Sequence, residues 1–321
     1  MVPSCLYPTT VKMHLSAKNI LFTLIALCLL WHSNANAIDS IIPDKIAVLS
    51  SKEIRPYIEA IEGLSGELID SGLTEIDVFD LQKYSGKAES ALKGQLSENG
   101  YGFCIAVGPE AAQFAVNQTL PFIYTMISYP ENISGPNAPA CGISFNIPLK
   151  EQLDAIKRTL PEVHSVGLLF DRQYNDKFYA GALEIAVEIG IEIIPMEVVS
   201  KRDIPKVLKR SWEKIDVLWF IPDETVISES VIEYINKEAL VNRVPTVGFN
   251  RFFYESGSLL SFVFDYRTLG QQTAHLALTL HSERSCISES PQYSLWINER
   301  VMNRLGVHVE SNSEEMKNSK P

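Results

Sequence analysis

The chain has 321 residues, 46% of them hydrophobic and 21% charged, a balance that excludes a disordered, collagen-like or low-complexity protein. Against 39 Asp and Glu stand 28 Lys and Arg, and the resulting net charge of −11 argues against nucleic acid or an anionic membrane surface as partner. The length suits two lobes of roughly 100–150 residues each, and the five cysteines are too few and too scattered for a disulfide scaffold.

Residues 20–31 (ILFTLIALCLLW) form an apolar run preceded by Lys12 and Lys18 and followed by Ala35-Asn36-Ala37. A basic segment, a short apolar core and an A-x-A site predict a secretory signal peptide over 1–37, cleaved after Ala37. The run falls short of the roughly 20 apolar residues that span a bilayer, so no stable membrane insertion of the mature chain is expected. Met1 and Met13 are both candidate starts. Cys28 lacks the small residue before it that a lipoprotein site needs. Cleavage removes two lysines and no acid, which leaves a more acidic chain in the periplasm. Cys104, Cys141 and Cys286 then sit in an oxidising compartment. Three is odd, so at least one thiol is free or pairs between chains. Cys104, inside FCIAV, reads as a small buried hydrophobe; a Cys104–Cys141 bridge is a pairing that the sequence allows without fixing.

The rest of the chain alternates short apolar runs with segments of helical spacing. Residues 45–51 (KIAVLSS) predict a strand and 54–69 a helix, with apolar positions at Ile54, Ile58, Ile61, Leu64 and Leu68. Strand 76–81, helix 87–96, strand 102–107 (GFCIAV), helix 109–116 and strand 121–128 (PFIYTMIS) follow. After a Pro-, Gly- and Asn-rich loop at 130–139 the same grammar returns: helix 149–160, strand 165–170 (SVGLLF), helix 177–189 and strand 191–199. Helix 204–214, strand 216–220 (DVLWF), helix 228–241 and strand 245–249 complete this second series. Strand 258–264 (SLLSFVF), helix 266–281, strand 293–297 (YSLWI) and a polar tail at 310–321 close the chain. Apolar runs without period-2 alternation, separated by amphipathic helices, imply parallel sheets covered on both faces. The fold class is therefore α/β, with two doubly wound parallel-sheet lobes.

No HExxH, GxSxG, GxGxxG or Walker loop is present, so no enzyme and no cofactor is indicated. His275 and His281 stand six apart on one expected helix, about 600° of rotation, and do not share a face as metal ligands would; no metal is expected. The informative residues lie at the C-terminal ends of strands, where ligands of open α/β sheets bind. Gly108-Pro109-Glu110-Ala111-Ala112-Gln113 follows GFCIAV. Gly108 permits close approach, and the amides of the next turn suit a carboxylate or phosphate, although Glu110 opposes an anion there. Ser50 and Ser51 end the first strand, and Ser128 and Tyr129 the fourth. Asp171, Tyr174 and Asn175 follow SVGLLF, Asp223 follows WFIP, Asn250 follows PTVGF, and Asp265 follows the strand at 258–264. Each of these polar residues also suits an ordinary cap or turn. Tyr129, Tyr174 and Tyr266 add stacking surface for an aromatic ligand.

In their order and wording, these segments resemble the ABC-transporter substrate-binding protein family that includes periplasmic tryptophan- and other aromatic-amino-acid-binding proteins. The matching stretches are KIAVLSS, IAVGPEAAQFAV, LPFIYTMISYPE and GISFNIPLKEQLDAIKRTLPEVHSVGLLFD, then DVLWFIPDETVISES, VPTVGFN, FDYRTLGQQTA and WINERVMNRLGV. The resemblance implies a type I periplasmic-binding-protein fold, two lobes joined by three crossovers that close on a small molecule at the hinge. It assigns residues 38–146 plus about 258–285 to an N-terminal lobe and 147–257 plus about 286–309 to a C-terminal lobe. The family's Gly-x-x-Ala-Ala-Gln turn matches Gly108, Ala111, Ala112 and Gln113, and its Pro-x-Asp turn matches Pro222 and Asp223. Glu224 stands where an Asn commonly follows. Ser128-Tyr129-Pro130 replaces Ser-Asp-Pro, and Asp171-Arg172-Gln173-Tyr174-Asn175 replaces Asn-Pro-x-Glu-x-Asn. These departures fall where a ligand would sit, so an aromatic-amino-acid specificity does not simply carry over. The function expected is a periplasmic solute-binding component of an ABC uptake system that hands a small organic, amino-acid-like ligand to a membrane permease. The alternative is a ligand-sensing subunit partnering a membrane signalling protein.

Overall fold

The computed structural model describes residues 45–310, except 74, 134, 136–138, 140 and 284–286, with no account of the side chains of 281–283. The expected signal peptide, both candidate start codons and Cys286 lie outside the described residues.

The first lobe opens with β1 (Lys45–Ser50), α1 (Arg55–Asp70), β2 (Glu75–Asp80), α2 (Lys87–Glu98), β3 (Cys104–Val107), α3 (Pro109–Ala115), β4 (Phe122–Ile127) and β5 (Gly142–Ser144). Its five strands are all parallel, in the order β2-β1-β3-β4-β5. The central strands β3 and β4 are buried along their whole length, as expected of apolar runs with helices on both faces. Strand β5, three residues at the sheet edge, was not expected from the sequence; so short a strand carries no readable periodicity.

The second lobe contains α4 (Leu149–Thr159), β6 (Ser165–Phe170), α5 (Arg172–Ile189), β7 (Glu192–Glu197), α6 (Ile204–Ser211), β8 (Val217–Trp219), α7 (Glu229–Val241), β9 (Thr246–Gly248), α8 (Arg251–Glu255) and β10 (Leu260–Val263). After α9 (Tyr266–Glu283) come β11 (Ser294–Ile297) and α10 (Glu299–Leu305). The six strands run in the order β11-β10-β9-β8-β6-β7, parallel except for β11 against β10. Helix α5 begins five residues before its expected start because Asp171 caps it, accepting the Gln173 N–H at 3.0 Å. Helices α8 and α10 were not expected either; each begins at an Asn cap, Asn250 and Asn298, and they are five and seven residues long.

Three chain passages connect the sheets. The first runs through 145–148, between β5 and α4. The second follows β10, which pairs with β9 and β11; strand β10 therefore belongs to the six-stranded sheet, and the passage lies at 264–265 instead of at 258. From there α9 packs on the first sheet, where Thr273 Oγ1 donates to Thr125 Oγ1 at 2.9 Å and Leu269, Ala274, Leu276 and Ala277 join the core of β1, β3 and α1. The third passage returns past the edge of β5, where the Glu289 N–H donates to the Gly142 carbonyl at 3.2 Å and the Gln272 amide donates to the Ser290 carbonyl at 2.7 Å. At the far end, the Glu310 N–H donates to the Thr159 carbonyl at 3.0 Å; residues 311–321 of the expected tail are not described.

Cys104 is a buried free thiol, and burial pushes its pKa up to about 12. Cys141 is disulfide-bonded. The Cys104–Cys141 pairing is therefore not the one formed, and the partner of Cys141 lies outside the described residues.

Candidate functional site

A cavity of about 470 Å³ lies where the two sheets' strand-end loops meet the first two passages. Its volume is in the range of small-molecule sites. From the first lobe come Ser128, Tyr129 and Glu131, just past β4. The passages contribute Phe145, Asn146, Ile147 and Pro148, together with Phe264 and Tyr266. The second lobe adds Leu149 and Gln152 from α4, Lys177 and Phe178 from α5, Pro222 after β8, and Phe249 and Asn250 after β9.

Six rings therefore line the cavity among the described residues, and each side is braced from behind. Phe145 lies 5.3 Å from Phe264 and 6.3 Å from Tyr266, centroid to centroid, so the passages share one aromatic cluster. Opposite, Phe178 leans on the fully buried Trp219 at 5.3 Å, and Phe249 on the buried Phe253 at 4.5 Å. Offset and edge-on pairs of this kind hold rings in place more firmly than area burial alone.

The approach from β4 is conformationally unusual. Met126 and Tyr129 both have positive φ, 60° and 56°, and the register with β5 shifts between Thr125 and Ile127. Non-glycine residues in the left-handed region cost about 1 kcal/mol or more and cluster at binding sites. The bulge redirects Ser128 and Tyr129 into the cavity. Burial raises the pKa of the Tyr129 hydroxyl, and the charges of Glu131 and Asp223 add to the rise; Asp223 is on the other lobe, so the two lobes approach one another here.

Of the residues singled out from sequence, Ser128, Tyr129 and Asn250 line this cavity, as does Tyr266. The others are placed differently. Ser51 Oγ accepts the Ala111 N–H at 2.8 Å, and Ser50 Oγ donates to the Lys52 carbonyl at 2.9 Å. A Cβ on Gly108 would lie 2.6 Å from the Tyr57 hydroxyl oxygen and 2.7 Å from Ser51 Oγ, so the space above that turn is filled by the protein itself. Ala111 and Ala112 are fully buried. The Glu110 carboxylate pairs with Lys52 at 2.8 Å, and this hydrogen bond lowers its pKa. The expected free amides of this turn are thus not found at Ala111.

Asp171, Asn175 and Asp223 are buried in an internal network. Asp223 Oδ2 accepts the Asp171 N–H and the Asn175 amide, each at 2.8 Å, and its Oδ1 accepts the Thr225 and Val226 N–H groups at 2.9 and 3.0 Å. Thr225 Oγ1 donates to Asp171 Oδ2 at 2.8 Å. Asn175 departs from helical geometry inside α5 (φ −125°, ψ 24°), and Lys177 and Phe178 follow directly. The network therefore does not line the cavity; it fixes the bend that presents two residues which do. Tyr174 is half exposed. Asp265 caps α9 by accepting the Thr268 N–H at 3.0 Å, and it lines a separate groove of about 440 Å³ with Arg55, Ile58, Glu59, Glu62 and Arg267.

The residues that sequence reasoning missed include Glu131, Phe145, Asn146, Gln152, Lys177, Phe178, Phe249 and Phe264. A signal was available for Phe145: SFNIP lies outside the expected elements, between the two α/β series, so its aromatic residue has no sheet of its own to cover. Among the described residues no helix is long and apolar enough to cross a membrane, and no group of three or more His, Cys, Asp or Glu is placed to hold a metal ion.

Comparison with known proteins agrees with this architecture. A family model described as ABC transporter substrate binding protein matches residues 45–316. A tyrosine-binding protein from Clostridioides difficile (strain R20291) is 23% identical over 208 residues, 62% of this chain; the match spans 59% of that relative's length. Among solved structures, the ligand-free, open form of a substrate-binding protein with adhesive properties from Clostridium difficile superposes with a TM-score of 0.72 at 20% identity. That match covers 87% of this chain and 99% of that one. A Streptococcus pneumonia protein in complex with L-Trp gives a TM-score of 0.53 at 20% identity, over 82% of this chain and 94% of that one.

Proposed function

Because this chain belongs to the family of ABC transporter substrate-binding proteins, which carry ligands and are not enzymes, we propose that it binds a small organic solute bearing an aromatic ring in the cavity between its lobes. The observation that carries this reading is the cavity itself, lined from both lobes by six rings, with the polar groups of Ser128, Asn146, Gln152 and Asn250 and the charges of Glu131 and Lys177 set among them. Apolar walls with a small number of placed polar groups are the usual composition of a small-molecule site. An amino-acid-like ligand accords with the names of two similar proteins, one tyrosine-binding and one solved with L-Trp. The solute's ring packs between the Phe145–Phe264–Tyr266 cluster and Phe178 with Phe249, while Ser128, Tyr129, Asn146 and Asn250 supply hydrogen bonds. Asn250 caps α8 through Oδ1, accepting the Phe253 N–H at 3.4 Å, and its Nδ2 has no partner among the described residues. Passages through 145–148 and 264–265 serve as hinges, so that one lobe binds first and closure then excludes water. The protein works outside the cytoplasm after removal of its signal peptide and delivers the solute to an ABC permease.

A thermal-shift screen of the purified protein against the amino acids and related metabolites tests this. A ligand at 100 times its Kd adds about 2.7 kcal/mol of stability, so the melting temperature rises by several degrees for ring-bearing solutes and stays unchanged for small aliphatic or sugar ones. Stabilisation by sugars alone, or by nothing in the panel, contradicts the reading.

A further inference from the structure

The cavity contains one cationic side chain among its described lining residues, and the starts of α3 and α5 are already occupied. We propose that Lys177 is the residue that selects an acidic group on the ligand, so that the site takes ring-bearing carboxylates and holds the carboxylate from the second lobe. The inference rests on the aromatic-solute reading above and deepens it.

Three observations count against an anion at the starts of α3 and α5 and on the first-lobe side of the cavity. The start of α3 is closed by Ser51 and Tyr57, its Ala111 amide is taken, and the Glu110 carboxylate stands there. The start of α5 carries two buried carboxylates, Asp171 and Asp223, whose oxygens already accept its free amide and those of the neighbouring loop. Across the cavity, the first lobe offers Glu131, which is exposed and makes no ion pair among the described residues; a carboxylate would be repelled on that side.

Lys177 meets the positive requirement. It lines the cavity beside Phe178, is exposed, and makes no ion pair among the described residues, so its ammonium is available to a ligand. Its place on α5 is set by Asn175, whose amide is held at 2.8 Å by Asp223 Oδ2 and at 3.2 Å by the Pro222 carbonyl. The bend thus fixes the base of the lysine while its long side chain stays free to reach. A flexible ammonium acts as a point charge, which suits a single carboxylate without demanding bidentate geometry. An amino-acid ligand would then lie with its carboxylate toward Lys177 and its ammonium toward Glu131.

Calorimetric titration separates these roles. The probes are the aromatic amino acid giving the largest thermal shift, its deaminated analogue (the arylpropionate) and its decarboxylated analogue (the arylethylamine). For Lys177→Met, affinity is expected to fall at least tenfold for both carboxylate probes and by less than twofold for the amine. For Lys177→Glu, the amine is expected to bind more tightly than to the wild type. Glu131→Gln should weaken the amine-bearing probes and spare the arylpropionate. Lys177 is on the surface, so the unliganded melting temperature of both lysine variants should match that of the wild type. Unchanged affinity of Lys177→Met for both carboxylates overturns the assignment while leaving the aromatic site standing, as does an equal loss for all three probes. A wild type that binds none of the three overturns the aromatic-site reading and this inference with it.

Discussion

Replacing Gly270 by alanine should destabilise the first lobe by about 3 kcal/mol or more, the upper end of what overpacking costs. A Cβ at this position would lie 1.9 Å from the Ala60 carbonyl oxygen and 2.8 Å from the Leu64 nitrogen, both backbone atoms of α1. The same contact is repeated one turn away, where a Cβ on Gly63 would stand 2.1 Å from the Arg267 carbonyl oxygen. Helices α1 and α9 therefore touch backbone to backbone, and no side chain there can move aside. To admit one methyl group the helices must separate, which loosens the packing of Leu269, Ala274 and Leu276 against Ala60, Leu64 and Leu68. Because α9 starts at the second passage, the disturbance reaches Tyr266 and the cavity. Gly66, on the exposed side of α1 with nothing within 4 Å of its Cβ position, provides the contrast. There alanine should add about 0.5–1 kcal/mol, since glycine inside a helix loses more backbone entropy. Urea titration of the two variants gives opposite shifts of the midpoint; a Gly270→Ala protein with the wild-type midpoint would contradict the close packing.

Asp223→Ala is expected to cost the second lobe about 3–5 kcal/mol, comparable to removing one partner from a buried charged pair. The N–H groups of Asp171 and Thr225 lose their side-chain acceptor, while the Val226 N–H and the Asn175 amide keep only their longer bonds, each 3.2 Å, to the backbone carbonyls of residue 223 and Pro222. Each buried donor left unsatisfied costs about 1–3 kcal/mol, with partial relief where water enters. Asp223→Asn should fall between, because its oxygen can replace Oδ1 while its amide opposes the donors that faced Oδ2. Freed from Asp223, Asn175 no longer fixes the bend in α5, so Lys177 and Phe178 lose their position and ligand affinity falls together with stability. Thermal unfolding with and without the solute measures both, and an Asp223→Ala protein that melts and binds as the wild type would contradict the network's role.

The two parallel sheets were legible because runs such as GFCIAV and SVGLLF are apolar on both faces, which only a covered parallel sheet tolerates. Three short elements, β5, α8 and α10, were not, since none has an apolar run or a readable period of its own and each depends on the neighbours it packs against. Strand β10 was expected as a strand but assigned to the first lobe with α9, because nothing in SLLSFVF tells which sheet it joins; the pairing with β9 decides that. The site was legible only in outline. Polar residues at strand ends were picked out because ligands of open α/β sheets bind there, although the same residues suit ordinary caps and turns. For Asp171, Asn175 and Asp223 the reason was internal, as they satisfy one another's loops. Ser128, Tyr129 and Asn250 do face the cavity, but of its six rings three come from the passages, and Phe178 and Phe249, inside an expected helix and an expected strand, are indistinguishable from core residues until the two lobes are brought together.

A crystal structure of the protein grown with the solute that gives the largest thermal shift tests the central claim most directly. The account predicts the ring between the Phe145–Phe264–Tyr266 cluster and Phe178 with Phe249, in contact with both lobes. A solute seated instead over Gly108, or in the groove beside Arg55 and Arg267 with the aromatic cavity empty, would contradict it.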